Sequence, residues 1–331
     1  MKALVLFSGG LDSTIALKLL KDHGLETYAI YVETGFVNAD YDHLKYLAEE
    51  QVGAKLILLM RQQQYVEKIL FSPQYGYGRF LNPCLDCHKF MIEQAWQWGL
   101  EHFGKGNFFL ATGEVLGQRG KSQTRFNIDR MNKDLGEIAD YLVRPLSIGY
   151  FPQTIPEKQG VIDPEKLLSI KGKQRKRQLE LIEKLGIKNY STPAGGCLLT
   201  TRGFTQKLKR FNDRYGYRPD DFYIVKHGRH FWFDDRLLIM SRNEKETKSF
   251  SQYEDPFGRF IRVELPKNVI GPVALLDAQA DDDLIRLTCG LLLAYSKADP
   301  QKEYTFTVNG KTYEGIKAVN REDYAGNLIK G

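Results

Sequence analysis

Four cysteines in 331 residues are too few to staple a disulfide-framed fold, and no stretch approaches the 18 or so apolar residues that a membrane span needs. No internal repeat and no low-complexity linker divides the chain. The N-terminal apolar run is too short for a signal peptide, is followed by an acid and has no cleavage-site pattern. A cytoplasmic protein without a membrane partner is therefore expected. In a reducing compartment Cys84, Cys87, Cys197 and Cys289 are expected to bind metal, act in catalysis or lie buried. A strong charge bias is also lacking: 47 Lys and Arg against 41 Asp and Glu leave +6. That surplus is local. Residues 166–188 hold eight Lys/Arg and two Glu, and residues 202–218 hold six Lys/Arg and one Asp. Hydrophobic content of 42% and charged content of 27% suit a globular chain long enough for two domains.

Apolar runs at 2–7, 26–33, 54–60 and 107–112 read as strands. Helical patterns at 12–23, 40–51 and 86–103 lie between them. Strands that alternate with helices of this length predict an α/β fold with a parallel sheet covered on both faces. After about residue 200 the pattern changes. Closely spaced strands with turns at 227–228 and 234–235, a helix over 281–297 and a hairpin turning at Asn309-Gly310 predict a smaller α+β domain. The expected division is 1–200 and 201–331.

The first strand ends in "SGGLDS", Ser8–Ser13. A strand that turns into a helix exposes unpaired N–H groups and a dipole that favours an anion. Gly9 and Gly10 let the backbone turn sharply and approach phosphate oxygens. Ser8, Ser13 and Thr14 carry hydroxyl donors. Asp12 would repel a bare phosphate, so its expected task is to hold Mg²⁺ against one. The Walker pattern is absent and no lysine sits in the loop.

The stretch resembles the PP-loop signature SGGxDS of the ATP pyrophosphatase superfamily. Its members cleave ATP between the α and β phosphates and adenylate a carbonyl or carboxylate oxygen. The resemblance implies a Rossmann-like sheet. It implies that Tyr31–Thr34 lie near the adenine and that Thr112 and Gly113, in "ATGEVLGQR", flank the nucleotide. It also implies that "VRPLS", 143–147, closes the site, with Arg144 a candidate to face phosphate.

"NPCLDCHKF", 82–90, and "TPAGGCLLT", 192–200, discriminate within the superfamily. A CxxC entering a helix and one distant cysteine after two glycines look like the PP-loop tRNA thiolases, and "NPC" is similar to a segment of bacterial 2-thiouridylases. The resemblance implies that an adenylated uridine oxygen is displaced by sulfur. Cys84, Cys87 and Cys197 could hold a 4Fe-4S cluster whose fourth iron carries a hydrosulfide. Cys87 and Cys197 could instead work as a persulfide pair; the third cysteine favours the cluster. Zinc, with His88 or an acid as fourth ligand, and three unrelated buried thiols stay open. Cys289, in the apolar "LIRLTCGLLLAY", is expected in the core.

A thiolase of this kind needs RNA. Lys171, Lys173, Arg175, Lys176 and Arg177 head an expected helix to Leu185 and suit phosphate contacts, as they would also suit a solvated face. Arg229, His230, Trp232 and Arg242 mix cations with aromatics. "GRHFWFDDRLLIMSRNEKET" resembles the RNA-associated NFACT-R module. No THUMP domain or flanking zinc finger is evident. The expected activity is an ATP-dependent tRNA sulfurtransferase, with Asp12, Cys87 and Cys197 catalytic and a donor protein or inorganic sulfide as sulfur source. Several PP-loop thiolases are dimers, so a homodimer is allowed. Two other readings stand beside it. One is a PP-loop enzyme for a small molecule with structural zinc, and the other a non-catalytic RNA-binding protein.

Overall fold

The computed structural model describes residues 1–191 and 196–329. The chain forms two compact units, Met1–Thr200 and Thr201–Gly331.

The first unit is the expected α/β structure. Strands β1 (Lys2–Leu6), β2 (Thr27–Glu33), β3 (Lys55–Met60), β4 (Phe108–Ala111) and β5 (Leu142–Val143) form one sheet in the order β3-β2-β1-β4-β5, with every pair parallel. Both central strands are apolar because both faces are covered, and all four residues of β4 are buried. From β1 the chain crosses to β2 on one side and later enters β4 on the other. The C-terminal ends of β1 and β4 therefore flank the switch point, where open α/β sheets leave a crevice for ligands.

Helix α1 (Leu11–Asp22) follows β1 directly and buries Leu11, Ile15, Leu17 and Leu20. Helix α2 (Tyr41–Lys45), capped by Asp40 accepting from the His43 N–H, widens into π-helical turns over Tyr46–Val52. Helix α3 (Gln62–Tyr65) is short, and α4 (Cys84–Phe103) is the longest in the chain. Helix α4 begins two residues before the expected start, so both cysteines of CxxC lie in its first turn. Helix α5 (Arg125–Leu135) has an N-cap in Thr124 and a stripe of Ile128, Met131 and Leu135. The basic helix α6 covers only Lys176–Lys184. Its expected first turn is instead a loop, in which Gly172 has φ +92° and donates its N–H to the Leu116 carbonyl.

The second unit is α+β. A helix α7 (Arg202–Tyr215) precedes a four-stranded antiparallel sheet of β6 (Arg229–Phe233), β7 (Arg236–Met240), β8 (Phe260–Val263) and β9 (Ala274–Asp277), ordered β6-β7-β9-β8. Helix α8 (Glu244–Ser251) follows β7, and α9 (Asp282–Ala294) carries Cys289 fully buried. The ribbon β10 (Tyr304–Val308) and β11 (Lys311–Ile316) turns at Asn309-Gly310, both with positive φ as a type I′ turn requires. Trp232 is core, with the Arg210 guanidinium 4.4 Å from its ring centroid.

Gly99 shows how tightly α4 sits on the sheet. A Cβ there would lie 2.4 Å from the Phe108 ring, which is fully buried and packed on Trp96. Alanine favours a helix over glycine by about 1 kcal/mol, but overpacking costs about 1–3 kcal/mol. Gly99→Ala is expected to lower the stability of the first unit by about 1 kcal/mol in chemical denaturation. An unchanged or raised midpoint would mean that Phe108 can yield.

Candidate nucleotide and thiol site

The Ser8–Ser13 loop leaves β1 and opens α1, at the switch point. Gly9 takes φ +69°, and a Cβ there would meet Leu44 Cδ2 at 2.6 Å. The loop is closed by its own hydroxyls. The Ser8 N–H donates to Ser13 Oγ at 3.3 Å, and the Ser13 and Thr14 hydroxyls donate to the Gly10 carbonyl at 3.0 and 2.9 Å. The end of β4 lies against this loop. A Cβ on Gly113 would come within 2.6 Å of the Asp12 carbonyl carbon and the Ser13 nitrogen, so only glycine allows the approach. Thr112, Gly113 and the loop are thus brought together.

Asp12 is held asymmetrically. Gln118 Nε2 donates to Asp12 Oδ2 at 2.5 Å, and Gln178 Nε2 on α6 donates to Gln118 Oε1 at 2.8 Å. Asp12 Oδ1 is buried without a hydrogen-bond partner. Burial pushes the Asp12 carboxyl above its usual range, against the Gln118 amide and the cations of Arg175 and Arg119. A buried carboxylate oxygen without a donor is a costly group, and a hard oxygen of this kind is what Mg²⁺ takes as ligand. The residue set fits that ion. Neither glutamine stood out in the sequence. The only signal was the spacing of Gln178 four residues before buried Ile182, which puts it on the inner face of α6.

At the end of β2, Tyr31 and Thr34 are buried, and Tyr41 is edge-on to Tyr31 at 6.1 Å. Glu33 between them accepts from the Tyr41 hydroxyl at 2.7 Å and from the Gly35 N–H at 2.5 Å.

Arg144, expected to face phosphate, is turned to protein partners. It is 4% exposed, donates through Nε to Glu114 Oε2 at 2.9 Å and through one terminal nitrogen to Asn132 at 2.9 Å. A buried guanidinium needs such a counter-charge. Glu114, missed in the sequence, also accepts from Thr112 Oγ1 at 3.0 Å and from His88 Nδ1 at 3.2 Å. Burial alone would raise its carboxyl; Arg144 and His88 outweigh burial and hold it at about 2.

Cys84 and Cys87 lie one turn apart at the start of α4. The backbone of Cys197 is bridged to Val37, and the next N–H donates to the Phe36 carbonyl at 2.9 Å. Gly195 and the three residues before it lie outside the described residues. The three thiols are close enough to disfavour one another's ionisation. Burial pushes Cys87 up to about 12, with the Tyr65 hydroxyl bond opposing and Cys197 and Cys84 adding. Burial likewise pushes Cys197 up to about 11. It raises Cys84 too, against the cations of Arg119 and Lys121. Among the described residues no three His, Cys, Asp or Glu side chains are disposed to hold a single metal ion, so the zinc reading gains no support. Cysteine thiolates are the donors that an iron–sulfur cluster takes, and Cys84, Cys87 and Cys197 are of that type.

Of the expected RNA contacts, Lys171, Lys173, Lys176 and Arg177 are exposed and Arg175 half-buried. Arg229 and Arg242 have partners within the second unit. Arg229 donates to the Ser241 carbonyl at 3.1 Å, and Arg242 pairs with Glu246 at 2.5 Å.

A parallel sheet with SGGLDS at its switch point resembles the PP-loop nucleotide-binding domain. Residues 1–135 match the family described as tRNA methyl transferase HUP domain, and residues 228–325 match the NFACT protein RNA binding domain. The tRNA-specific 2-thiouridylase MnmA of Bacillus subtilis is 29% identical over 225 residues, covering 63% of this chain and 56% of that protein. The Proteus mirabilis protein of the same name is 25% identical over 228 residues, with the same coverage. That of Bacillus licheniformis is 32% identical over 123 residues, 34% of this chain and 32% of that protein. The chain thus spans about half the length of the first two relatives. The first unit is similar to the tRNA-specific 2-thiouridylases, and the second to the NFACT protein RNA binding domain. No helix among the described residues is long and apolar enough to cross a membrane.

Arg144→Met would leave buried Glu114 without its guanidinium, with His88 and Thr112 as remaining partners, at an expected cost of about 3–5 kcal/mol at pH 7. Because Glu114 is depressed to about 2, its contribution is full above the unfolded value of about 4.3 and fades as pH falls toward 2. Denaturation of both proteins between pH 7 and pH 3 should show the gap narrowing on the acid side.

Proposed function

We propose that the chain is an ATP-dependent tRNA sulfurtransferase that adenylates a uridine carbonyl oxygen and replaces it with sulfur. The observation that supports this best is the presence, in one unit, of the SGGLDS loop at the switch point and three thiols close enough to disfavour one another's ionisation. Residues 1–200 are the catalytic domain and residues 201–331 an RNA-binding domain. The backbone of Ser8–Ser13 takes the pyrophosphate end of ATP, and Tyr31, Thr34, Thr112 and Gly113 line the nucleotide. Asp12 offers Oδ1 to Mg²⁺ while Gln118 keeps Oδ2 in place.

The uridine oxygen attacks the α-phosphorus and pyrophosphate leaves. Sulfide then attacks the activated carbon, and AMP leaves with the former carbonyl oxygen. Cys84, Cys87 and Cys197 would hold a 4Fe-4S cluster, which supplies an open iron for hydrosulfide. Inorganic sulfide or a donor protein would be the sulfur source. The exposed cations Lys171, Lys173, Lys176 and Arg177, with Arg175, take the RNA backbone. The reading puts the protein in the cytoplasm.

Anaerobically purified protein is expected to carry about four irons and four sulfides, lost in Cys84→Ala, Cys87→Ala and Cys197→Ala alike. With sulfide and ATP it should form AMP and a thiolated uridine, detected by mass spectrometry of digested tRNA. Iron-free protein after reconstitution would overturn the cluster, and ATP cleavage without any thiolated base would overturn the sulfurtransferase.

Gln118→Leu removes the donor to Asp12 Oδ2. A hydrogen bond to a charged group contributes about 1.5–3 kcal/mol. The Mg²⁺ concentration that half-saturates AMP formation is therefore expected to rise about tenfold or more, with the fold intact by circular dichroism.

A further inference from the structure

The segment just before the CxxC has a surface that neither the nucleotide chemistry nor the core explains. Residues 78–82 form a tight turn, closed by the Gly78 N–H on the Asn82 carbonyl at 2.7 Å and the Asn82 N–H on the Arg79 carbonyl at 3.2 Å. The turn is tied to the thiols, because Cys84 donates to Asn82 Oδ1 at 2.9 Å. Phe80 stands at its tip with φ +54° and a ring 40% exposed. A non-glycine residue in that region costs about 1–2 kcal/mol, which the surroundings must sustain. Arg79 lies against its ring, 5.3 Å from the centroid.

Lys121 joins this turn to the start of α5. It donates to the Tyr77 carbonyl, packs on Gly78, and accepts through its own carbonyl from Asn127 Nδ2 at 2.5 Å. Beside Asn127, Phe126 is 74% exposed. It lies off the buried stripe of Ile128, Met131 and Leu135, so the fold does not call for an aromatic there. The nearby acids are already engaged, Asp129 by Arg125 and Asp134 by Tyr75 and Gln74. What the surface offers is two exposed aromatic residues with Arg79 and Lys121 beside them. Single-stranded nucleic acid takes such a surface, with bases on the rings and phosphates on the cations.

We infer that Phe80 and Phe126 form a base-stacking rim at the thiol site, and that the substrate RNA strand is gripped there by the nucleotides flanking the target uridine. This rests on the sulfurtransferase reading and adds the residues that present the base.

The test is the affinity of the full chain for unfractionated tRNA and for a short oligouridine, by fluorescence anisotropy, in wild type, Phe80→Ala, Phe126→Ala and Phe126→Tyr. Stacking on an aromatic is worth about 1–3 kcal/mol per base, which is about five- to a hundredfold in affinity. Each alanine variant is expected to lose that much for both RNAs, and Phe126→Tyr to keep wild-type binding. ATP affinity and melting temperature should be unchanged, since both residues are exposed. Wild-type affinity in both alanine variants would overturn the rim while leaving the sulfurtransferase reading in place. Phe126→Ala that turns a dimer into a monomer without loss of RNA affinity would overturn it in favour of a contact between copies. A wild type that binds neither RNA would overturn both.

Discussion

The buried pair of Glu114 and Arg144 fixes the geometry on which the first unit depends. Glu114 follows β4 by three residues and Arg144 follows β5 by one, so the pair joins the ends of adjacent strands. The same carboxylate accepts from Thr112 and from His88 on α4. Taking two charges out of water is expensive, and a buried pair is seldom a net gain over apolar packing. What it adds here is position. Gly113, between Thr112 and Glu114, cannot shift without breaking a filled set of hydrogen bonds. It is this glycine whose backbone presses on Asp12 and Ser13. The nucleotide loop is thus located by a charge pair outside it, and the helix bearing the cysteines is tied to the same carboxylate through the residue after Cys87.

The thiols show what reaction chemistry their site has to supply. Burial holds the Cys87 thiol well above its usual range, so its neutral form is favoured at neutral pH. The thiolate is the reactive form both as nucleophile and as ligand. A persulfide route needs a base within reach, and the adjacent carboxylate, Asp86, already accepts from the backbone of Gln74 and Tyr75. Metal coordination removes the proton from a thiol outright.

The parallel sheet was legible because its strands are continuous apolar runs and its helices have a 3.6-residue period. The loop was legible because close approach to phosphate leaves few choices at Gly9 and Gly10. The signals failed where contacts are long-range. Nothing in "GEVLGQR" marks Glu114 as the partner of a residue 30 positions later, or Gln118 as the holder of a residue 106 positions earlier. Arg144 was read as a phosphate ligand because a buried counter-charge has no local signature. The run at 171–177 reads as one helix by composition, but Gly172 lets the chain take a left-handed turn that delays the helix to Lys176. Phe80 and Phe126 are unremarkable as letters; only their exposure sets them apart from the core aromatics.

The chain of amides from α6 to the loop has a direction that chemistry dictates. A carboxylate only accepts, so Gln118 must turn its NH₂ to Asp12 and its oxygen away, and Gln178 must meet that oxygen with its own NH₂. Both dipoles then point their positive ends at Asp12, and each polarises the next. Gln178 is fully buried, while Lys176 and Arg177, two and one residues before it on the same helix, are exposed. A helix is stiff over two residues, so whatever moves the cationic face moves the far end of the relay. A polyanion seated on Lys176 and Arg177 would therefore act, through Gln178 less than a helical turn away, on the same connected set of side chains as a metal ion on Asp12 Oδ1. The loop acid could not keep its place while that helix is displaced.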